Sequence, residues 1–132
     1  DIAKRLNLSS RVDVRTERAE LTGQDPLHRG KYDLAMARAV GKSPVLAEYL
    51  VPLLRPSGEA LFFRGHWNKK EEQELLKALI PLQANLQKVE HHILPANRGV
   101  RHQIRVKSSG NCPLNYPRAI GIPTKKPLHA HS

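Results

Sequence analysis

Tyr32-Asp33-Leu34-Ala35-Met36-Ala37-Arg38-Ala39-Val40 is the stretch on which the fold reading turns. It is mostly apolar and lies between the loop glycines Gly30 and Gly41, so it predicts a short buried strand of the kind found in parallel sheets. Just after it, Ser43 and Pro44 supply a helix cap and a first-turn proline. Leu46, Tyr49, Leu50, Leu53 and Leu54 then recur at helical spacing as an apolar face, which Pro52 should kink. Arg55-Pro56-Ser57-Gly58 is a breaker cluster, and Ala60 to Phe63 reads as an apolar strand beyond it. Asn68 and Glu71 have the spacing of a capping box, ahead of Leu75, Leu76, Leu79 and Ile80 on one helical face that Pro81 closes. Val89 to Leu94 and His102 to Lys107 are two further strands, joined through Asn97, Arg98 and Gly99. Gln103, Arg105 and Lys107 alternate with Ile104 and Val106, which gives the last strand one wet face. Upstream, Ile2, Leu6 and Leu8 mark a helix and Val12 and Val14 a short strand. Strands alternating with helices predict an α/β layer structure with a mainly parallel sheet, its final antiparallel pair at an edge.

From Ser108 onward the character changes. Four of the ten prolines, Pro113, Pro117, Pro123 and Pro127, alternate with Tyr116, Arg118, Lys125 and Lys126, which reads as an extended basic tail. The expected division is therefore a folded portion over residues 1–107 and a basic proline-rich tail over 108–132. Lysine and arginine number 22 against 12 acids, a formal net charge of +10. That surplus draws a protein to a polyanion, because neutralising phosphates releases condensed counterions. No apolar run approaches the roughly 20 residues that cross a bilayer, so no membrane partner is expected. The single Cys112 has no internal partner and reads as an inert thiol, in keeping with a reducing, cytoplasmic setting. His91 and His92 are neighbours on a strand and point to opposite faces, so they cannot chelate one ion together, and no metal site is expected. Trp67, between a strand and a helix, reads as packing, and Tyr116 as the ring better placed to stack on a base.

Three stretches together resemble one family. They are Arg18-Ala19-Glu20, then Ala37-Arg38-Ala39-Val40, and the tail Tyr116-Pro117-Arg118-Ala119-Ile120-Gly121-Ile122-Pro123-Thr124-Lys125-Lys126-Pro127-Leu128. The tail is the specific part, and Leu53-Leu54-Arg55-Pro56, Arg64-Gly65 and Arg101-His102 extend the likeness over nearly the whole chain. The chain resembles the bacterial small-subunit rRNA guanine-N7 methyltransferases, also called the glucose-inhibited division protein B family. The resemblance implies a class I, Rossmann-like fold that uses S-adenosyl-L-methionine to methylate guanine N7 in 16S ribosomal RNA. It implies that Ala19, Glu20 and Arg38 bind the cofactor, and that Arg118, Lys125 and Lys126 touch the active-site mouth or RNA phosphate; Tyr116 and Arg101 are further candidates for contact with RNA. The partner it implies is 16S ribosomal RNA or the small ribosomal subunit, met by a monomer in the cytoplasm. No catalytic acid or base is assigned, since N7 carries a free lone pair and alignment is the main requirement.

The chain departs from that family in what it lacks. Its eight glycines form no G-x-G pair, and the sequence opens inside the helix that follows the family's second strand. Arg64 stands where a lysine is more usual in the family. The expectation is the C-terminal portion of an enzyme without its cofactor loop. The alternative is a non-catalytic basic RNA-binding module derived from a methyltransferase.

Overall fold

The protein was analysed as a computed structural model, which describes residues 19–38, 42–93, 95–97, 99–110 and 112–129. The helix expected at Ile2–Leu8 and the strand at Val12–Val14 lie outside these residues. A short helix α1 (Ala19–Thr22) leads through a loop to strand β1 (Tyr32–Arg38), which coincides with the opening stretch of the sequence reading. Helix α2 (Ser43–Leu50) follows, and a 3-10 turn at Val51–Leu53 absorbs Pro52. Strand β2 (Leu54–Arg64), helix α3 (Lys69–Leu82) and strands β3 (Ala84–Ile93) and β4 (Val100–Ser108) complete the layer, and a helical turn α4 (Ile122–Lys125) lies in the tail.

The four-stranded sheet has the order β1-β2-β4-β3. β1 pairs parallel to β2, while β4 pairs antiparallel to both β2 and β3. The sheet is thus less parallel than its alternating pattern predicts. Helical crossovers α2 and α3 keep β1, β2 and β3 pointing one way, as such connections must. The short connection after β3 then sends β4 back between β2 and β3, so a single reversed strand produces two antiparallel ladders.

Three local expectations shift for physical reasons. The breaker cluster Arg55–Gly58 lies within β2 as a bulge: the register jumps from Tyr32↔Leu54 to Leu34↔Glu59, and Ser57 turns left-handed at φ 67°. Gly58 is required there, because a Cβ would stand 2.8 Å from the Tyr32 carbonyl oxygen and 2.9 Å from that of Arg55. In α2, Ser43 is the buried first helical residue rather than the cap, a position held by Lys42 without a side-chain bond. Asn68 does cap α3, its Oδ1 accepting from the Glu71 N–H at 2.9 Å.

The buried faces of both helices are rotated from the apolar stripes of the sequence. α2 buries Pro44, Ala47 and Glu48, and α3 buries Leu75, Ala78, Leu79 and Leu82. Leu76 and Ile80 face solvent instead, Ile80 at 62 % exposure. These faces close over Ala60 and Phe62 of β2 and Ile104 and Val106 of β4 to form the core. Gln103, Arg105 and Lys107 take the other face of β4, as the alternation predicts. On that same face Leu34 and Met36 of β1, the strand at the edge of the described sheet, are 47 % and 46 % exposed.

The rotation can be checked directly. Leu79→Ala should cost about 2–5 kcal/mol, whereas Ile80→Ala should stay within about 0.5 kcal/mol of the parent, both read from the urea midpoint at constant slope. Equal effects would refute the assigned face.

Candidate functional site

In an open α/β sheet, ligands bind outside the carboxyl ends of the parallel strands. Here that end is formed by Arg38, the last residue of β1 and register partner of Phe63, by Arg64 closing β2, and by Lys42 and Ser43 at the amino end of α2. Because β4 is antiparallel and His102 pairs with Arg64, the exposed Arg101 is brought to the same end of the sheet. A pocket of about 190 Å³ opens there, lined by Lys42, Ser43, Pro44, Arg64, Glu71 and Glu74. Both acids come from α3, Glu71 in its first turn and Glu74 three residues further on, and Arg64 Nε lies 3.6 Å from Glu71 Oε2. Sequence reasoning singled out Arg38 and Arg101 for the site, but took Glu71 only as a capping-box residue and passed over Glu74; their signal was two acids three residues apart near the start of a helix that follows Arg64-Gly65.

The second constellation fastens the tail. Prolines leave residues 112–118 without regular pairing, so their carbonyls need outside donors. Arg29, in the loop before β1, donates from Nη2 to the carbonyls of Cys112 at 3.1 Å and Pro113 at 2.8 Å. Its Nη1 donates to the carbonyls of Tyr116 and of Gly23. Gln24 Nε2 donates to Leu114 and Pro117 carbonyls at 3.0 and 2.9 Å. Arg118 then closes on Glu48, whose side chain is fully buried: Nη2 donates to Oε1 at 2.8 Å, Nε to Oε2 at 3.0 Å, and the backbone N–H to Oε2 at 2.7 Å. Finally the Gly121 N–H donates to Glu20 Oε2 at 2.9 Å, and Tyr49 O–H lies 3.5 Å from the same oxygen and 3.3 Å from Thr124 Oγ1.

The residues singled out from the sequence therefore separate into groups. Glu20 is buried and its carboxylate engages the tail beside Tyr49, in the carboxyl half of α2, whereas Arg38 closes the strand that leads to the helix's other end. Ala19 opens α1 next to Glu20. Tyr116 is 5 % exposed and belongs to the core, so its ring is not presented for stacking. Arg118 spends its guanidinium on Glu48 and on the Lys126 carbonyl rather than on an outside anion. Lys125 and Lys126 are exposed. Trp67 packs against the core, as its sequence context predicts. Arg29, Gln24 and Glu48 had gone unnoticed. Only Glu48 carries a signal, an acid at the buried spacing Pro44, Ala47, Glu48, Val51.

Two measurements follow from this geometry. Arg118→Ala strands the Glu48 carboxylate, and breaking a buried pair in this way should destabilise by about 3–5 kcal/mol, readable as a lowered urea midpoint. Burial pushes the Cys112 thiol up from 9.0 to about 11, with Arg29 opposing the rise. A raised thiol pKa favours the folded state below the unfolded value and loses that contribution as pH climbs through the folded one. Iodoacetamide should accordingly label native Cys112 slowly at pH 8 and accelerate only as pH approaches 11; rapid labelling at pH 8 would contradict the burial.

Comparison with known proteins places the chain. A family model described as rRNA small subunit methyltransferase G (GidB) matches residues 1–100. Ribosomal RNA small subunit methyltransferase G of Prochlorococcus marinus strain MIT 9313 is 61 % identical over 127 residues, which is 96 % of this chain and 51 % of that protein. The protein of the same name from Synechococcus sp. strain CC9902 is 56 % identical over 127 residues, covering 96 % of this chain and 52 % of the relative. Among solved structures, a SAM-dependent methyltransferase from Methanosarcina mazei aligns at a TM-score of 0.48 and 12 % identity, over 71 % of this chain and 66 % of that one. The chain spans about half the length of the curated relatives it matches. Between the family model over residues 1–100 and relatives aligned along 96 % of its length, the chain belongs to the rRNA small subunit methyltransferase G (GidB) family.

Proposed function

We propose that this chain forms the acceptor side and tail of an S-adenosylmethionine-dependent methyltransferase that modifies N7 of a guanine in 16S ribosomal RNA. The observation that carries the reading is the 61 % identity to a ribosomal RNA small subunit methyltransferase G along 96 % of the chain. The formal charge of +10 and the crevice at the carboxyl ends of β1 and β2 support it.

The resemblance assigns Arg38, Ala19 and Glu20 to one side of a cofactor site. Arg38 stands at the end of a parallel strand, and the resemblance assigns Ala19 and Glu20 to the adenine end; the G-x-G pair that the family uses at the methionine end is not in this sequence. S-adenosylmethionine, when bound, supplies a sulfonium methyl group open to attack. The task left to these residues is positional. N7 has no proton to lose, so none of them has to act as a general base, and holding the base in line supplies the rate. The Glu20–Gly121 bond fixes the tail against α1. Exposed Lys125, Lys126 and Arg101 grip phosphates and set the register of the RNA without reading its sequence. The setting we assign is the cytoplasm, with the small ribosomal subunit or its RNA as partner.

The test is transfer of a tritiated methyl group to small-subunit RNA by the complete gene product. The expected product is 7-methylguanine, and labelling of another base, or none, overturns the reading. Replacing Lys125 and Lys126 together by alanine should weaken RNA binding across sequences and reduce the slope of log K against log salt by about 1 for each phosphate no longer gripped. An unchanged slope removes the tail from the RNA interface.

A further inference from the structure

The end of the β3–β4 hairpin gathers His91, His92 and His102, and the register decides which of them meet. His91 cannot meet His92, its neighbour along the strand. It stands directly opposite His102 instead, and the two rings lie 6.2 Å apart at a 38° tilt. Two residues inward, the Val89–Ile104 pair takes the same face, the one that carries the core, so the imidazoles lie just beyond the apolar cover. His91 is exposed and His102 half-buried, and among the described residues neither has a hydrogen bond or an ion pair. Their surroundings are cationic. Across the next ladder His102 pairs with Arg64, whose charge is answered by Glu71 of α3. On the opposite face the next pair is His92 with Arg101, both exposed. Along the hairpin Lys88, Arg98, Arg101, Arg105 and Lys107 stand against one acid, Glu90, which lies 3.9 Å from Lys88.

Two imidazoles side by side suit two kinds of ligand. A metal ion needs them neutral and draws on further donors. Among the described residues no group of three His, Cys, Asp or Glu comes together, and a cation at the pair would arrive beside arginines. An anion needs the rings charged. A protonated imidazole donates from both nitrogens, and a phosphate has oxygens enough to accept charge-assisted bonds from two rings at once. Those bonds also offset the repulsion between the two rings. The geometry points to the His91–His102 pair as a phosphate site for the RNA backbone, filled when both rings carry a proton. The inference rests on the methyltransferase reading above and extends its RNA contact from Arg101 across the end of the hairpin. Histidine charge ordinarily changes between about pH 5 and 8, so this contact strengthens with acidity where those of lysine and arginine do not. Like other phosphate contacts, it positions the RNA without reading its sequence.

The experiment is binding of small-subunit RNA to the complete gene product at constant ionic strength, with EDTA present, followed by fluorescence anisotropy near pH 8 and near pH 6. On acidification the wild type should tighten by roughly tenfold more than the double variant His91→Gln/His102→Gln, the worth of one bond to a charged group. His92→Gln, on the other face of the hairpin, should keep the full response, and circular dichroism checks that every variant is folded at both pH values. If the double variant does not fold, His91→Gln alone carries the comparison and should lose most of the effect, because its side chain is exposed and one ring cannot bridge. A double variant that tightens as much as the wild type overturns the assignment, and so does a wild type that binds RNA equally at both pH values. In either case RNA is bound and the methyltransferase reading stands, whereas RNA bound at neither pH overturns both. Binding near pH 8 that appears when zinc replaces EDTA, with no gain on acidification, gives the pair to a metal and also overturns the assignment.

Discussion

Glu48 puts a carboxylate on the face of α2 that the core covers, between Ala47 and Val51, and its side chain has no exposure at all. An ion in that setting costs several kcal/mol unless it is paired and its remaining lone pairs are met. Arg118 meets them three times over, with Nε, Nη2 and its own backbone N–H. The pair is therefore less a stabilising addition than a condition on the rest of the structure. Once α2 packs as it does, the segment around Arg118 has one acceptable location, and the tail on either side of it must find bonds there. Arg29 and Gln24 answer for the carbonyls that the prolines leave unpaired, and Glu20 and Tyr49 answer for the turn at Gly121–Thr124.

This constraint divides a basic segment into inward and outward charges. Composition counts Arg118, Lys125 and Lys126 alike, but Arg118 neutralises a buried acid while the two lysines remain exposed. Tyr116 and Leu128 likewise turn inward and complete the core from the far end of the chain. Among the described residues, the cations left exposed to a polyanion include Lys125 and Lys126 in the tail and Arg101 at the carboxyl end of the sheet.

The strands were legible because their signals are local. The apolar run at 32–38 and the alternation of Ile104 and Val106 with Gln103 and Arg105 need no knowledge of a partner. The helix faces were misjudged because large side chains outvote small ones in a sequence pattern. The small residues Ala47 of α2 and Ala78 of α3 are fully buried, while Leu46 is only partly buried against the core and Ile80 faces solvent. The Arg55–Gly58 bulge was read as a stop because proline and glycine end most elements, yet a strand that continues past them needs only one left-handed residue, Ser57, and one site without a Cβ. The mouth of the site was half legible: Arg38 and Arg101 sit at the ends of recognisable strands, while Glu71 gains meaning only from Arg64 beside it. The tail's attachment was hidden because its partners lie 70 to about 100 positions away along the chain, and no periodicity reports a pairing at that separation.

The Glu48–Arg118 separation also sets an order of events during synthesis. A ribosome adding about 5–20 residues per second releases Glu48 roughly 4–14 s before Arg118. Throughout that interval α2 cannot bury its acid without leaving it unpaired, so the nascent chain has reason to keep the helix loosely docked and hydrated. Residues made later thus permit earlier ones to settle, and closure of the core over α2 waits for the segment around Arg118.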